Sequence, residues 1–258
     1  MGLTDGNRNR NWPGPPEPYD HRPPLGYLAS VRHPWISFLY LIPLLAVYEI
    51  GVRKASSPGG SLRAGIELWL QQWLEQSSKW PAFAIPTTLV GLLLLWALFR
   101  WNDRPSYFIV PTLGILFEGI ACGIGLYALC LNAPFLLEKA GLPIAALNIQ
   151  GTQALTYLGV GIYEEAIFRL IGFGLLSWLM RAIFIPAIVS IPIALLVSAA
   201  AFALAHEFVH TEPFVPYVFF TRMLIGATLA MLFWLRGLGV AVGAHIVYDV
   251  AASAQMQG

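Results

Sequence analysis

"PWISFLYLIPLLAVYEIGV", residues 34 to 52, carries one acid and no base in nineteen residues. A helix that crosses a bilayer needs about 20 mostly apolar residues, because every backbone polar group must be satisfied within the segment. The stretch therefore reads as a membrane span, and the rest of the chain agrees with it. The 258 residues are 57% hydrophobic and 11% charged, against about a quarter charged in a soluble domain. Nine Trp, fifteen Phe and ten Tyr supply amphipathic rings. No Lys/Arg cluster could follow a phosphate backbone, so nucleic acid is excluded as a partner; the lipid bilayer is the expected one.

Further spans follow at about 81–99, 107–131, 152–179, 184–208, 215–235 and 238–255. The segment 61–78 differs. Leu62, Ile66, Trp69, Leu70 and Trp73 recur at three- and four-residue steps, and Arg63, Glu67, Gln71 and Glu75 occupy the other face. That pattern predicts an amphipathic helix lying in the interface. The expected fold is all-α: a polytopic transmembrane helix bundle of about seven spans plus one interfacial helix. Residues 1–27 are polar and rich in Pro, Asn and Arg, without the apolar core of a signal peptide, and are expected to form a mobile tail ahead of a single membrane domain, 28–258. Cys122 and Cys130 lie in one apolar segment and read as small helix filler.

With the N-terminus inside, the inner segments hold Arg8, Arg10, Arg22, Arg32, Arg100, Arg104, Arg181 and Arg236. The outer segments hold Arg53, Lys54, Arg63, Lys139 and Lys79. Eight against five favours a cytoplasmic N-terminus.

One span breaks the apolar pattern. "GIYEEAIFRL", residues 161 to 170, places Glu164, Glu165 and Arg169 at membrane depth. Even on insertion scales a charge at mid-span costs about 2.5–3.5 kcal/mol, so such groups face a bundle interior or a wet cavity and pair there. Glu165 and Arg169 are four apart and can pair along one helix face. Glu164 points to another sector and is left as a carboxylate in a low-dielectric site, the setting of a general base or a metal ligand. A static buried network that only orders the bundle is the alternative. Two later stretches weigh against it. "FALAHEFVH", 202 to 210, brings Phe202 and His206, and "GAHIVYDV", 243 to 250, brings His245 and Asp249, again four apart.

E-E-x-x-x-R, F-x-x-x-H and H-x-x-x-D on successive spans resemble the signature of the CPBP intramembrane proteases, also called Abi, which include the type II CAAX prenyl endopeptidases. The resemblance covers about residues 150–255. It implies an endopeptidase in which Glu164 and His206 activate a water, while His245 and Asp249 complete the pocket and stabilise the oxyanion. Glu165, Arg169 and Phe202 take supporting roles. Asp249 stands where CAAX-type members commonly carry Asn, and a carboxylate cannot donate to an oxyanion unless protonated; a His-orienting or metal-binding role suits it better. A divalent metal such as zinc would use Glu164, His206, His245 and Asp249. The resemblance further implies a membrane-associated peptide or protein substrate, with prenylated CAAX ends the best-known class, and a prokaryotic plasma membrane location.

"HEFVH" also fits H-E-x-x-H, in which His206 and His210 would bind zinc and Glu207 act as base. Pro213 and Pro216 follow closely, so Glu207 and His210 are expected at the membrane surface, and the reading leaves "EEAIFR" without a role. Glu118 is expected to snorkel, to be protonated or to partner the polar site, and Arg222 to snorkel or pair with an acid. Two non-enzymatic readings stand beside the protease: an immunity or adaptor protein, and a proton relay through Glu164, Arg169 and His245. The relay lacks the paired repeats of transporters.

Overall fold

The structure, a computed structural model, describes residues 25–55, 62–77, 81, 83–139, 154–209 and 214–254. Most of the expected N-terminal tail, Lys79 and His210 lie outside these residues. All described secondary structure is helical. A short α1 (Tyr27–Val31) leads into α2 (Pro34–Ala55). Then come α3 (Gly65–Ser77), α4 (Ala84–Phe99), a 3-10 turn (Trp101–Asp103) and α5 (Ile109–Lys139). The fourth expected span is a composite: α6 (Ala154–Glu165), a π-helical stretch (Ala166–Phe173) and α7 (Gly174–Ala182). The chain ends with α8 (Ala187–Val209), α9 (Pro216–Arg236) and α10 (Leu238–Ala254).

Among the described residues, Pro34–Ala55, Ile109–Ala133, Ala187–Glu207 and Pro216–Arg236 are long and apolar enough to cross a membrane, and Ala84–Phe99 and Leu238–Ala254 are shorter apolar helices. Leu95, Phe117, Ile124, Trp178 and Ile188 point outward, as a lipid-facing surface requires. Pro186 precedes α8 and does not kink it, while Pro192 lies within the helix. At the start of α9, Val215 is extended and Pro216 fills the first helical position, where a missing N–H costs nothing. Gly237 separates α9 from α10 with φ of 91°, a conformation open to glycine.

The bundle centre is built by close helix approach. Gly119 and Gly123 on α5 face α10, and Gly239 and Gly243 on α10 face α5. A Cβ on Gly119 would stand 3.0 Å from Gly243 Cα, and one on Gly123 would stand 2.7 Å from the Ala244 carbonyl. Two facing small-x-x-x-small rows let these helices pack nearly backbone to backbone, and α10 brings His245 with it.

Two polar knots hold the periphery. On α3, Glu67 is buried and accepts from Tyr48 Oη at 2.6 Å. Arg63 pairs with Glu67 and forks onto both oxygens of Glu49 at 3.3 Å, and Tyr163 Oη donates to Glu49 at 3.1 Å. The interfacial helix is thereby clamped to α2 and α6. Burial is the largest influence on Glu67 and raises its pKa above the usual range; the Tyr48 hydrogen bond and Arg63 oppose that rise. In the second knot Glu118 pairs with Arg236, whose Nε donates at 2.7 Å, and accepts from Tyr27 Oη at 2.5 Å. This charge serves α1, α5 and α9 at the end where α2 begins; among the described residues its bonds go to Tyr27 and Arg236 and not to the polar site.

Candidate active site

Helix α6 starts at the end of the bundle where α2 and α5 finish and where α8 and α10 also finish. Glu164 and Glu165 close α6, His206 is near the end of α8, and His245 lies at the middle of α10 with Asp249 one turn further on. The alternation of helix directions thus puts all five groups in the same half of the bundle as α3.

The π-helical stretch begins directly after Glu165. Its i→i+5 pattern widens the helix and loosens backbone pairing, a departure seen most often at functional sites. Side chains from other helices meet the altered backbone: Ser198 Oγ on α8 donates to the Phe168 carbonyl at 2.8 Å. Arg169, fully buried, donates from Nη2 to the Gly226 carbonyl on α9 at 3.2 Å, and its Nε lies 3.1 Å from Glu165 Oε2 in an ion pair. A Cβ at Gly226 would stand a tight 3.1 Å from Ala199 Cα, so the bare glycine suits the close approach of α9 to α8. The guanidinium also lies over the Phe202 ring, 4.6 Å from its centroid, a favourable cation–π placement.

Glu165 uses its other oxygen on α10, where His245 Nδ1 lies 2.9 Å from Oε1. Arg169 keeps Glu165 an acceptor, so Nδ1 carries the hydrogen and Nε2 faces the remaining acids. His206 is fixed in the same sense, with Nδ1 2.9 Å from the Phe202 carbonyl. Phe202 packs against both imidazoles, at centroid distances of 4.7 Å to His206 and 5.8 Å to His245. That contact gives the F-x-x-x-H spacing a physical meaning.

Both Nε2 atoms converge on one carboxylate oxygen. Glu164 Oε2 is 3.8 Å from His206 Nε2 and 3.9 Å from His245 Nε2. Asp249 Oδ2 is 3.7 Å from His245 Nε2. These separations are too long for hydrogen bonds and leave room for a bridging atom. Glu164 Oε2 is buried and has no protein hydrogen-bond partner. His206 is the more open imidazole, 24% exposed against 3% for His245, so the site opens on the α8 side.

The four candidate metal donors therefore gather loosely. Their contacting atoms stand wider apart than the roughly 2 Å bonds of a tetrahedral zinc site bring them, and among the described residues no group of three or more His, Cys, Asp or Glu is arranged to hold an ion. Glu207 is engaged elsewhere, accepting from Arg222 Nη1 at 2.7 Å.

Residues 151–251 match the family model of type II CAAX prenyl endopeptidase Rce1-like proteins. That segment contains every residue of the site and is similar to the CAAX protease family, and the match supports an intramembrane endopeptidase in general, acting on a peptide or protein substrate. Neither the curated proteins nor the solved structures give a match.

Proposed function

We propose that the protein hydrolyses a peptide bond within the bundle by a water that Glu164 and His206 activate. The observation that carries this reading is the unpartnered Oε2 of Glu164, buried and facing two imidazole nitrogens at 3.8 and 3.9 Å. A water there would donate one hydrogen to Glu164 Oε2 and the other to His206 Nε2. As its oxygen attacks the scissile carbonyl, Glu164 takes the proton, a general-base role. His245, carrying a second hydrogen on Nε2 as the imidazolium, donates from that nitrogen, between Glu164 and Asp249, to the developing oxyanion. When the C–N bond breaks, the proton held by Glu164 passes to the leaving nitrogen, and the tetrahedral oxygen returns to a carbonyl.

In this scheme Asp249 acts through His245. Its carboxylate cannot donate to an oxyanion, but 3.7 Å from Nε2 it favours a proton on that nitrogen. Arg169 and Glu165 hold the imidazole from the other side. Substrates are membrane-associated peptides, with prenylated CAAX-type ends one class. A prokaryotic plasma membrane location and a cytoplasmic N-terminus complete the proposal.

The test is cleavage of a lipid-anchored, internally quenched peptide by the protein in proteoliposomes. His206→Ala and His245→Ala should each remove activity while inserting like the wild type. Full cleavage by either variant overturns the role given to that imidazole. Elemental analysis of the active protein decides metal content independently.

A further inference from the structure

Tyr163 takes no part in the chemistry above, yet it directly precedes the proposed general base. It lies four residues after Gly159, so the two share one face of α6. A Cβ on Gly159 would run into the Tyr48 ring, which therefore sits against bare α6 backbone. The Tyr163 ring meets that ring edge to face, with centroids 5.9 Å apart. Beyond the rings the hydroxyl of Tyr163, a residue only 2% exposed, donates to Glu49 Oε1 on α2. Glu49 is itself held: Arg63 reaches both of its oxygens, and Arg53 lies 3.8 Å from one of them. With two guanidiniums upon it the carboxylate stays an acceptor, and Tyr163 donates to a fixed point.

Glu164 has no such anchor. Its Oε2 is buried without a protein hydrogen-bond partner and faces the imidazoles at 3.8 and 3.9 Å. Where that oxygen stands is set by the backbone that carries it. Directly after Glu165 the helix passes into π-helical pairing, which holds the backbone less regularly. Glu165 ties one flank of this turn to Arg169 and His245. Tyr163 ties the other flank to α2. The base thus stands between two anchored neighbours, and a misplacement of about 1 Å at such a group can cost about 100-fold in rate.

We propose that Tyr163 is a positioning residue: its hydrogen bond to Glu49 fixes the end of α6 and so sets the reach of Glu164 toward the attacking water. The knot that clamps α3 thereby also aligns the site. This assignment rests on the peptidase reading given above.

The experiment measures kcat and KM for a lipid-anchored, internally quenched peptide in proteoliposomes, with thermal melting in detergent alongside. The proteins are wild type, Tyr163→Phe, Glu49→Ala, these two combined, and Tyr48→Phe. Tyr163→Phe keeps the ring and loses only the donor, so kcat should fall by about tenfold or more with KM unchanged. Glu49→Ala should lower kcat by a similar factor, and the combination no further, because both remove the same bond. Tyr48→Phe loses the hydroxyl that joins Glu67 and the Ala64 N–H in the same knot, but leaves Tyr163 on Glu49. It should melt lower and keep the wild-type kcat. Wild-type kcat in Tyr163→Phe or in Glu49→Ala overturns the proposal, whatever the melting temperature. Additive losses in the combination also overturn it, as does a kcat loss in Tyr48→Phe equal to that in Tyr163→Phe. An active wild type, an inactive Glu164→Gln and an unaffected Tyr163→Phe would remove this proposal and leave the peptidase reading standing. A wild type that cleaves no peptide would remove both.

Discussion

Glu165 and His245 are eighty positions apart in the chain and 2.9 Å apart in the fold. Arg169 holds the far side of the same carboxylate at 3.1 Å. A guanidinium on the π-helical stretch thus sets, through one acid, which nitrogen of an imidazole on α10 faces the site.

Removing Arg169 leaves Glu165 buried with its counter-ion gone. Breaking a buried pair on one side costs about 3–5 kcal/mol. Arg169→Ala should therefore lower yield and thermal stability in detergent. Arg169→Met combined with Glu165→Gln should recover much of the loss, because no bare charge remains. Wild-type stability in the single variant would refute the pairing.

Packing of α5 on α10 allows a sharper contrast. At Gly123 an added Cβ would meet Val247 Cβ at 2.6 Å and the Ala244 carbonyl at 2.7 Å; at Gly125 it would meet nothing within 4 Å. Gly123→Ala should displace α10, and with it His245, reducing both stability and cleavage. Gly125→Ala should be neutral or stabilising by up to about 1 kcal/mol, the helix propensity difference. Similar melting temperatures for the two variants would contradict the close approach.

The clamp on α3 carries a pH signature. Burial raises the pKa of Glu67 in the folded state above its unfolded value. Its contribution to stability is then full below the unfolded value and is lost as pH rises through the folded one. Amide exchange of α3, corrected for intrinsic rates, should be slower at pH 4.5 than at pH 7. In Glu67→Gln that difference should vanish. A clamp that weakens on acidification would reverse the assigned sign.

The proposed orientation places the 3-10 turn inside and α3 outside. In a cysteine-free background, Gln72→Cys should react with an impermeant maleimide on intact cells, and Asn102→Cys only after permeabilisation. The opposite pattern would invert the orientation and put the site's half of the bundle on the cytoplasmic side.

Much of this architecture could be read from the residues. Because burial in lipid leaves little freedom of composition, apolar runs mark the long helices to within a few positions, except that α5 continues past the expected 131 to Lys139. The alternating faces of 61–78 mark α3, and the four-residue spacings pair Glu165 with Arg169 and His245 with Asp249. The G-x-x-x-G rows at Gly119/Gly123 and Gly239/Gly243 stand in the sequence as well, but nothing in it pairs one row with the other; the fold does that. The π-helical stretch was not legible: nothing in "AIFRLIGF" distinguishes i→i+5 from i→i+4 pairing, and what supports it, Ser198 and the Gly226 carbonyl, comes from other helices. The same holds for Glu165 with His245, Glu207 with Arg222 and Glu118 with Arg236. Each joins separate helices, and helix periodicity constrains only neighbours along one.

The central claim is that Glu164 accepts the proton of the attacking water, and its most direct measurement is the single-turnover cleavage rate of Glu164→Gln beside wild type in the same proteoliposomes. Gln keeps the shape of the side chain and cannot take that proton, so the account predicts a loss of about 10²–10⁴-fold or more with insertion and stability intact. A rate within a few-fold of wild type would contradict it.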